Sequence, residues 1–149
     1  MKNSDLKILS QKMNMILADI YALYLKTQNY HWNITGPMFF SLHSLFETQY
    51  KEQAEAIDEL AEKIRSNGIK VQADFEYFAK NSTIISNLNN SLSDKEMLKD
   101  LAESHQIIIE KFYDLSEQAA SIGNKSIDDF ATQRIVSHEK QRWMIISCM

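Results

Sequence analysis

Apolar side chains recur along this chain at steps of three and four residues, the period of a helix that buries one face. They run through Leu6, Leu9, Met13, Ile16, Leu17, Ile20, Leu23 and Tyr24, which predicts a first helix from about Ser4 to Trp32. Asn33-Ile34-Thr35-Gly36-Pro37 breaks it, because glycine tolerates left-handed backbone and proline suits the first turn of a new helix. A second helix is expected from about Pro37 to Asn67, carrying Phe40, Leu42, Leu45, Phe46, Tyr50, Ala54, Ile57, Leu60, Ala61 and Ile64. A crossover follows, with a short helix near Asp74 to Ala79 marked by Phe75, Tyr77 and Phe78, and a polar, loop-like stretch from Asn81 to Asn90. Ser93 and Glu96 form a capping box that starts a third long helix. Leu98, Leu101, Ile108, Ile109, Phe112 and Leu115 carry that helix to about Ser121, and Gly123 ends it. The last helix spans about Ser126 to Cys148, with Trp143 expected to anchor it.

The prediction is all-α: four long helices joined by a short, a long and a short connection, with a short extra helix in the crossover. That order of connections is the ferritin-like four-helix bundle; another helical connectivity is the alternative. A length of 149 residues fits one domain spanning 1–149, and 44% hydrophobic with 24% charged residues describes a globular chain. Three glycines and one proline favour long helices over a turn-rich sheet. The net charge of -4 supplies no general attraction for nucleic acid and leans toward cations. Cys148 is the only cysteine, so no internal disulfide forms, which fits a reducing compartment. Polar residues interrupt MKNSDLKILSQK, and no run approaches the roughly 18 apolar residues of a membrane span. A cytoplasmic protein with no membrane partner is the expectation.

The candidate chemistry lies around the first break. His31 and His43 each stand six residues from Pro37, so a helical hairpin centred there brings the two imidazoles together. Within the second helix, His43 and Glu47 are i,i+4 neighbours, as are Asp58 and Glu62. All four fall in one sector of the helix, roughly 100° wide. From His43 to Asp58 is fifteen residues, roughly 22 Å along the axis, whereas a metal–ligand bond is about 2 Å. One straight helix therefore cannot place both residues on one ion. Two copies packed antiparallel about a two-fold at the level of Glu52 can, and they make two equivalent sites. Imidazole with carboxylate suits Fe(II), and also Zn or Mn. The plain alternative is that the histidines are packing residues and the acidic pair a solvated face. Glu52, Glu55 and Glu59 are read as such a face.

Two segments carry a resemblance. Tyr30-His31-Trp32-Asn33-Ile34-Thr35-Gly36-Pro37-Met38-Phe39-Phe40-Ser41-Leu42-His43 and Asp58-Glu59-Leu60-Ala61-Glu62-Lys63-Ile64-Arg65 closely resemble the Dps family, the miniferritins of starved bacterial cells. The shared pattern is HWN-x-x-G, a second histidine twelve residues after the first, and then DELAE-x-x-R; it extends over nearly the whole chain. The resemblance implies a hollow homo-dodecamer of two-fold dimers that oxidises Fe(II), with hydrogen peroxide preferred over dioxygen, and stores ferric mineral. It implies two irons per intersubunit site, with His31 and His43 from one subunit and Asp58 and Glu62 from its partner. Glu62 would bridge, and His31, His43 and Asp58 would be terminal ligands. Glu47 matches a position that is commonly aspartate; here a longer arm reaches the second ion or a bound water. Trp32 resembles the tryptophan beside the site, a local electron donor or a packing residue. Asp129 aligns with an acidic position of the family's three-fold pores, with Asp128 as a second contributor or a favourable helix-start charge.

Direct DNA binding is doubtful on this sequence. The first twelve residues set Lys2, Lys7 and Lys12 against Asp5, nothing basic follows the last helix, and phosphate contacts need dense positive charge. An architectural DNA-compacting or surface shell with weak or vestigial ferroxidase activity remains the alternative function. His105 and His138 match no ligand position and are read as ordinary histidines.

Overall fold

The computed structural model describes residues 2–84 and 91–149; residues 85–90, at the end of the polar crossover stretch, lie outside them. The elements are α1 (Asn3–Asn33), α2 (Phe39–Ser66), α3 (Phe75–Asn81), α4 (Asp94–Ser121) and α5 (Lys125–Ile146), with no strand among the described residues. All five expected helices are present, and their ends fall within about two residues of expectation. Pro37 precedes α2 rather than opening it, within a turn closed by the Phe39 N–H donating to the Gly36 carbonyl at 3.0 Å, with Gly36 at φ 107°. The capping box forms: the Glu96 N–H donates to Ser93 Oγ at 3.2 Å, and the Ser93 N–H to Glu96 Oε2 at 2.7 Å. Gly123 takes φ 73° after α4, which lets the Gly123 and Asn124 N–H groups reach the Ala120 and Ala119 carbonyls at 3.0 and 2.8 Å. Asn124 then caps α5 by accepting from the Ile127 N–H at 3.1 Å, one residue earlier than expected.

The core lies between the four long helices. Leu9, Met13, Ile16, Leu17, Ile20 and Leu23 of α1 meet Leu42, Phe46, Leu60 and Ile64 of α2, and Leu98, Leu101, Ile108, Phe112 and Leu115 of α4. Polar pairs set the register of α1 against α4. Lys12 bonds Asp114, Asp19 bonds Lys111, and Lys26 bonds Ser104 and Asp100 at 3.1 and 3.0 Å, an antiparallel order. Fully buried Asp19 also accepts from Ser82 Oγ at 3.1 Å and the Thr83 N–H at 2.6 Å, clamping the chain after α3 to the bundle.

Three apolar positions depart from expectation. Phe40 is 81% exposed, Ala54 is exposed, and Trp143 is 65% exposed rather than anchoring its helix. Phe75 of α3 is also 81% exposed. The three-four step continues around α2 and α5 to a side that the bundle of one chain leaves uncovered.

Candidate metal centre

The α1–α2 hairpin brings His31 and His43 together as the spacing predicts. The rings stack with centroids 3.8 Å apart and 17° between planes. His31 Nδ1 lies 2.7 Å from the His43 carbonyl oxygen, and His43 Nδ1 lies 2.7 Å from the His31 carbonyl oxygen. A carbonyl oxygen only accepts, so each Nδ1 carries the proton and donates it across the hairpin. In the neutral ring Nε2 is then left with its lone pair, the form that binds a metal. The acceptor at residue 31 is a last-turn helix carbonyl, one of those with no partner inside its own helix. Phe39 stacks on His43 at 5.0 Å, and Tyr50 stands edge-on to His31 at 5.2 Å, so both rings are held in place by packing. His31 is buried and His43 half-buried.

Glu47 sits one turn beyond His43 and pairs with Lys51 at 3.1 Å. The hydrogen bond and charge of Lys51 hold its carboxyl below the usual range, with smaller help from His31 and His43. Asp58 and Glu62 are exposed near the other end of the same unbroken helix. The cations beside them are turned elsewhere: Lys63 Nζ donates to Ser126 Oγ at 2.6 Å and Arg65 to the Ile69 carbonyl at 3.0 Å. Among the described residues, no cation is paired with Asp58 or Glu62. Among the described residues, no three His, Cys, Asp or Glu side chains of one chain converge on a metal position. The structure joins His31 with His43, keeps Glu47 near them, and leaves Asp58 roughly 22 Å and Glu62 roughly 28 Å from His43 along the axis, as the rise of a continuous helix dictates.

Trp32 is 61% exposed at the end of α1 and, with Met38, Phe39 and Phe40, makes an apolar rim beside the histidines. Asp128 lies in the first turn of α5 and accepts from Ser116 Oγ, whereas Asp129 is exposed.

Two parts of the molecule were not legible from spacing. Glu52 is not a solvated residue like Glu55 and Glu59. It faces α5, taking hydrogen bonds from both terminal nitrogens of the Arg134 guanidinium, from Ser137 Oγ at 3.0 Å and from Gln141 Nε2 at 2.7 Å. Burial raises its carboxyl, and the bond and charge of Arg134 together with the bonds from Ser137 and Gln141 outweigh that and lower it. Glu52 therefore points away from the face that carries His43 and Asp58 and marks only a level along the helix. Behind it, His138 and His105 are fully buried, with their Nδ1 atoms 3.1 Å apart. Arg134 can only donate, so His138 Nε2, 3.0 Å away, accepts; His138 Nδ1 then donates to His105 Nδ1. His105 keeps its proton on Nε2, which has no partner among the described residues. Burial, opposed by the Glu52 charge and aided by Arg134 and Arg142, drives the His105 pKa from 6.5 to about 3.

Comparison with known proteins agrees with this architecture. A ferritin-like domain model matches residues 10–147. A low temperature-induced protein of Nostoc is 32% identical over 136 residues, covering 91% of this chain and 76% of that one. The DNA protection during starvation protein of Helicobacter pylori is 28% identical over 128 residues, covering 86% and 89%. Among solved structures, Dps of Thermosynechococcus elongatus superposes with a TM-score of 0.92 at 30% identity, covering 97% of this chain and 92% of that one. The Dps protein of Vibrio cholerae, described as a member of a broad superfamily of ferritin-like diiron-carboxylate proteins, gives 0.93 at 28% identity, covering 99% and 92%. An unbroken likeness of this length, on a bundle with the same short extra helix, makes the chain a ferritin-like protein of the Dps family.

Proposed function

We propose that this chain is the subunit of a dodecameric shell that oxidises Fe(II) with hydrogen peroxide, or with dioxygen, and stores the ferric product. The observation that carries the proposal is the reciprocal hydrogen bonding that fixes both imidazoles as Nδ1–H tautomers with Nε2 free. Two histidines arranged only for packing have no need of that match. The second half of the site is Asp58 and Glu62 of a neighbouring copy, brought to His31 and His43 when two α2 helices pack antiparallel. A two-fold contact makes the arrangement twice. The exposed apolar rim of Trp32, Met38, Phe39 and Phe40 beside the histidines, with Phe75 on α3, is the surface such a contact would cover.

Fe(II) is the substrate. His31, His43 and Asp58 would hold it terminally, Glu62 would bridge two ions, and Glu47, once released by Lys51, would reach the second ion or its water. Zn or Mn would fit the same donors. Two Fe(II) each give one electron to one peroxide, which takes up two protons and leaves as two waters, so no hydroxyl radical forms. Trp32, beside the site, is an electron donor for stray oxidant. Exposed Asp129 is the pore residue that draws Fe(II) inward; Asp128, held by Ser116, contributes less. The test is peroxide-driven Fe(II) oxidation by the wild type against His31→Ala/His43→Ala. The double variant should lose the reaction, and equal rates would remove the histidines from the mechanism. Shells mixed from that variant and Asp58→Asn/Glu62→Gln should regain partial activity, because each mixed contact holds one intact site. Verified mixed shells that recover nothing would overturn the shared geometry.

A further inference from the structure

α2 carries three cations, Lys51, Lys63 and Arg65, and only one of them is committed to a candidate ligand. Lys63 bonds Ser126 and Arg65 bonds the Ile69 carbonyl, away from the acidic pair. Lys51 instead sets its Nζ 3.1 Å from Glu47 Oε1. Glu47 is the carboxylate that α2 places one turn beyond His43, so this ion pair occupies the oxygen donor that the hairpin would otherwise offer. Lys51 has a choice of partner. Glu55, one turn further on, is exposed and has no partner among the described residues. Lys51 takes Glu47, the order of glutamate before lysine by four residues that a helix favours. The side chains of the pair are 66% exposed at Lys51 and 43% at Glu47, and ion pairs that open to water are weak. An incoming dication can therefore open the pair, and Glu55 stands ready to receive the released ammonium.

We propose that Lys51 is a positioning residue that makes the metal centre load in order, one ion freely and a second only by taking Glu47 from Lys51. The proposal rests on the shared metal centre proposed above. An ion held by imidazole and by the carboxylates of the neighbouring copy leaves the pair closed. An ion that needs Glu47 must break the pair and then sit beside a fixed positive charge. Loss of the pair weakens that ion about twofold. Repulsion between a dication and an ammonium one turn away adds about two- to threefold at physiological salt. Lys51 thus weakens the second ion about fivefold, and both contributions shrink as salt rises. Paired ions then accumulate only as free Fe(II) climbs past the second, weaker constant.

Zn(II) tests this without redox chemistry. The assembled protein is titrated calorimetrically at about 0.15 M and about 1 M NaCl, as wild type, Lys51→Met and Lys51→Arg. The wild type should bind in two steps per histidine pair. Lys51→Met should tighten the second step about fivefold and leave the first unchanged, whereas Lys51→Arg should behave as the wild type. At high salt the three proteins should converge. An unchanged second step in Lys51→Met, an equal shift of both steps, or a gap that persists at high salt would overturn the role of Lys51 alone. Zn(II) steps that survive intact in His31→Ala/His43→Ala would overturn the metal centre and the role of Lys51 with it.

Discussion

Acid loads a proton onto His105 in the unfolded chain long before it does so in the folded one. Its folded pKa is about 3, against 6.5 for the free side chain, because the ring is fully buried, with Glu52 opposing the shift and Arg134 and Arg142 adding to it. A depressed histidine contributes stability that is complete above its unfolded value and lost as pH falls toward the folded one. Integrated between about pH 7.5 and about pH 4.5, this group alone removes about 3 kcal/mol. His138, lowered by burial, His105 and Arg134, adds a loss of the same sign. Glu52, a lowered carboxyl, loses its contribution only as pH drops below its usual 4.5. His105→Leu deletes the titrating ring together with an Nε2–H that has no acceptor, but leaves His138 Nδ1 without one. At neutral pH the orphaned donor costs about 1–3 kcal/mol. In acid the variant escapes its share of the protonation cost, so the two stability profiles converge and the variant's is flatter. Urea unfolding followed by helical circular dichroism reads this, at one protein concentration because assembly contributes to stability. If both proteins lose the same stability between the two pH values, the buried, neutral state of His105 is refuted.

Two further perturbations test the scaffold that holds the site. Asp19→Ala strands Lys111 and the Ser82–Thr83 donors around a fully buried position, so a loss of roughly 3 kcal/mol is expected in denaturant unfolding. Amide hydrogens after α3 should also exchange faster, and a loss under about 1 kcal/mol would deny the clamp its role. Ser93→Ala removes one half of the α4 capping box and should cost about 1 kcal/mol by the same measurement. An unchanged midpoint would show that the cap is not formed in solution.

The bundle is legible in the sequence because its determinants are local. Ser93 and Glu96, three residues apart, are enough to start α4, and Gly123 is enough to end it. The histidine pair is legible for a related reason: a hairpin centred on Pro37 puts residues 31 and 43 opposite each other. The lock on those rings is not legible, because its acceptors are main-chain carbonyls, which every position has. Nor does periodicity say which side of a helix its own chain covers. Ala54 continues the step of Phe46 and Tyr50 yet is left outside, and nothing near Glu52 separates it from Glu55. Only α5 makes that distinction, with Arg134, eighty-two residues away, and its neighbours Ser137 and Gln141.

That distant arginine also bears on where metal chemistry can occur. In ferritin-like carboxylate proteins with an internal site, helices project glutamates and Glu-x-x-His pairs into the bundle centre. No Glu-x-x-His occurs anywhere in this chain. The space between α2, α4 and α5 holds instead Glu52, Arg134, His138 and His105, linked by hydrogen bonds. A cation entering there would meet the Arg134 charge. Binding at His138 Nδ1 would move that ring's proton to Nε2, against the guanidinium N–H it now accepts. The same exchange would take away the hydrogen bond that His105 Nδ1 receives. The interior is thus electrostatically and tautomerically closed to a metal ion. The one pair of imidazoles whose Nε2 atoms are free stands at the α1–α2 hairpin, where the chain supplies too few carboxylates of its own. With the interior taken by the network around Arg134, the hairpin histidines are the donors left for the proposed iron site, and a second copy of α2 is the proposed source of the missing oxygens.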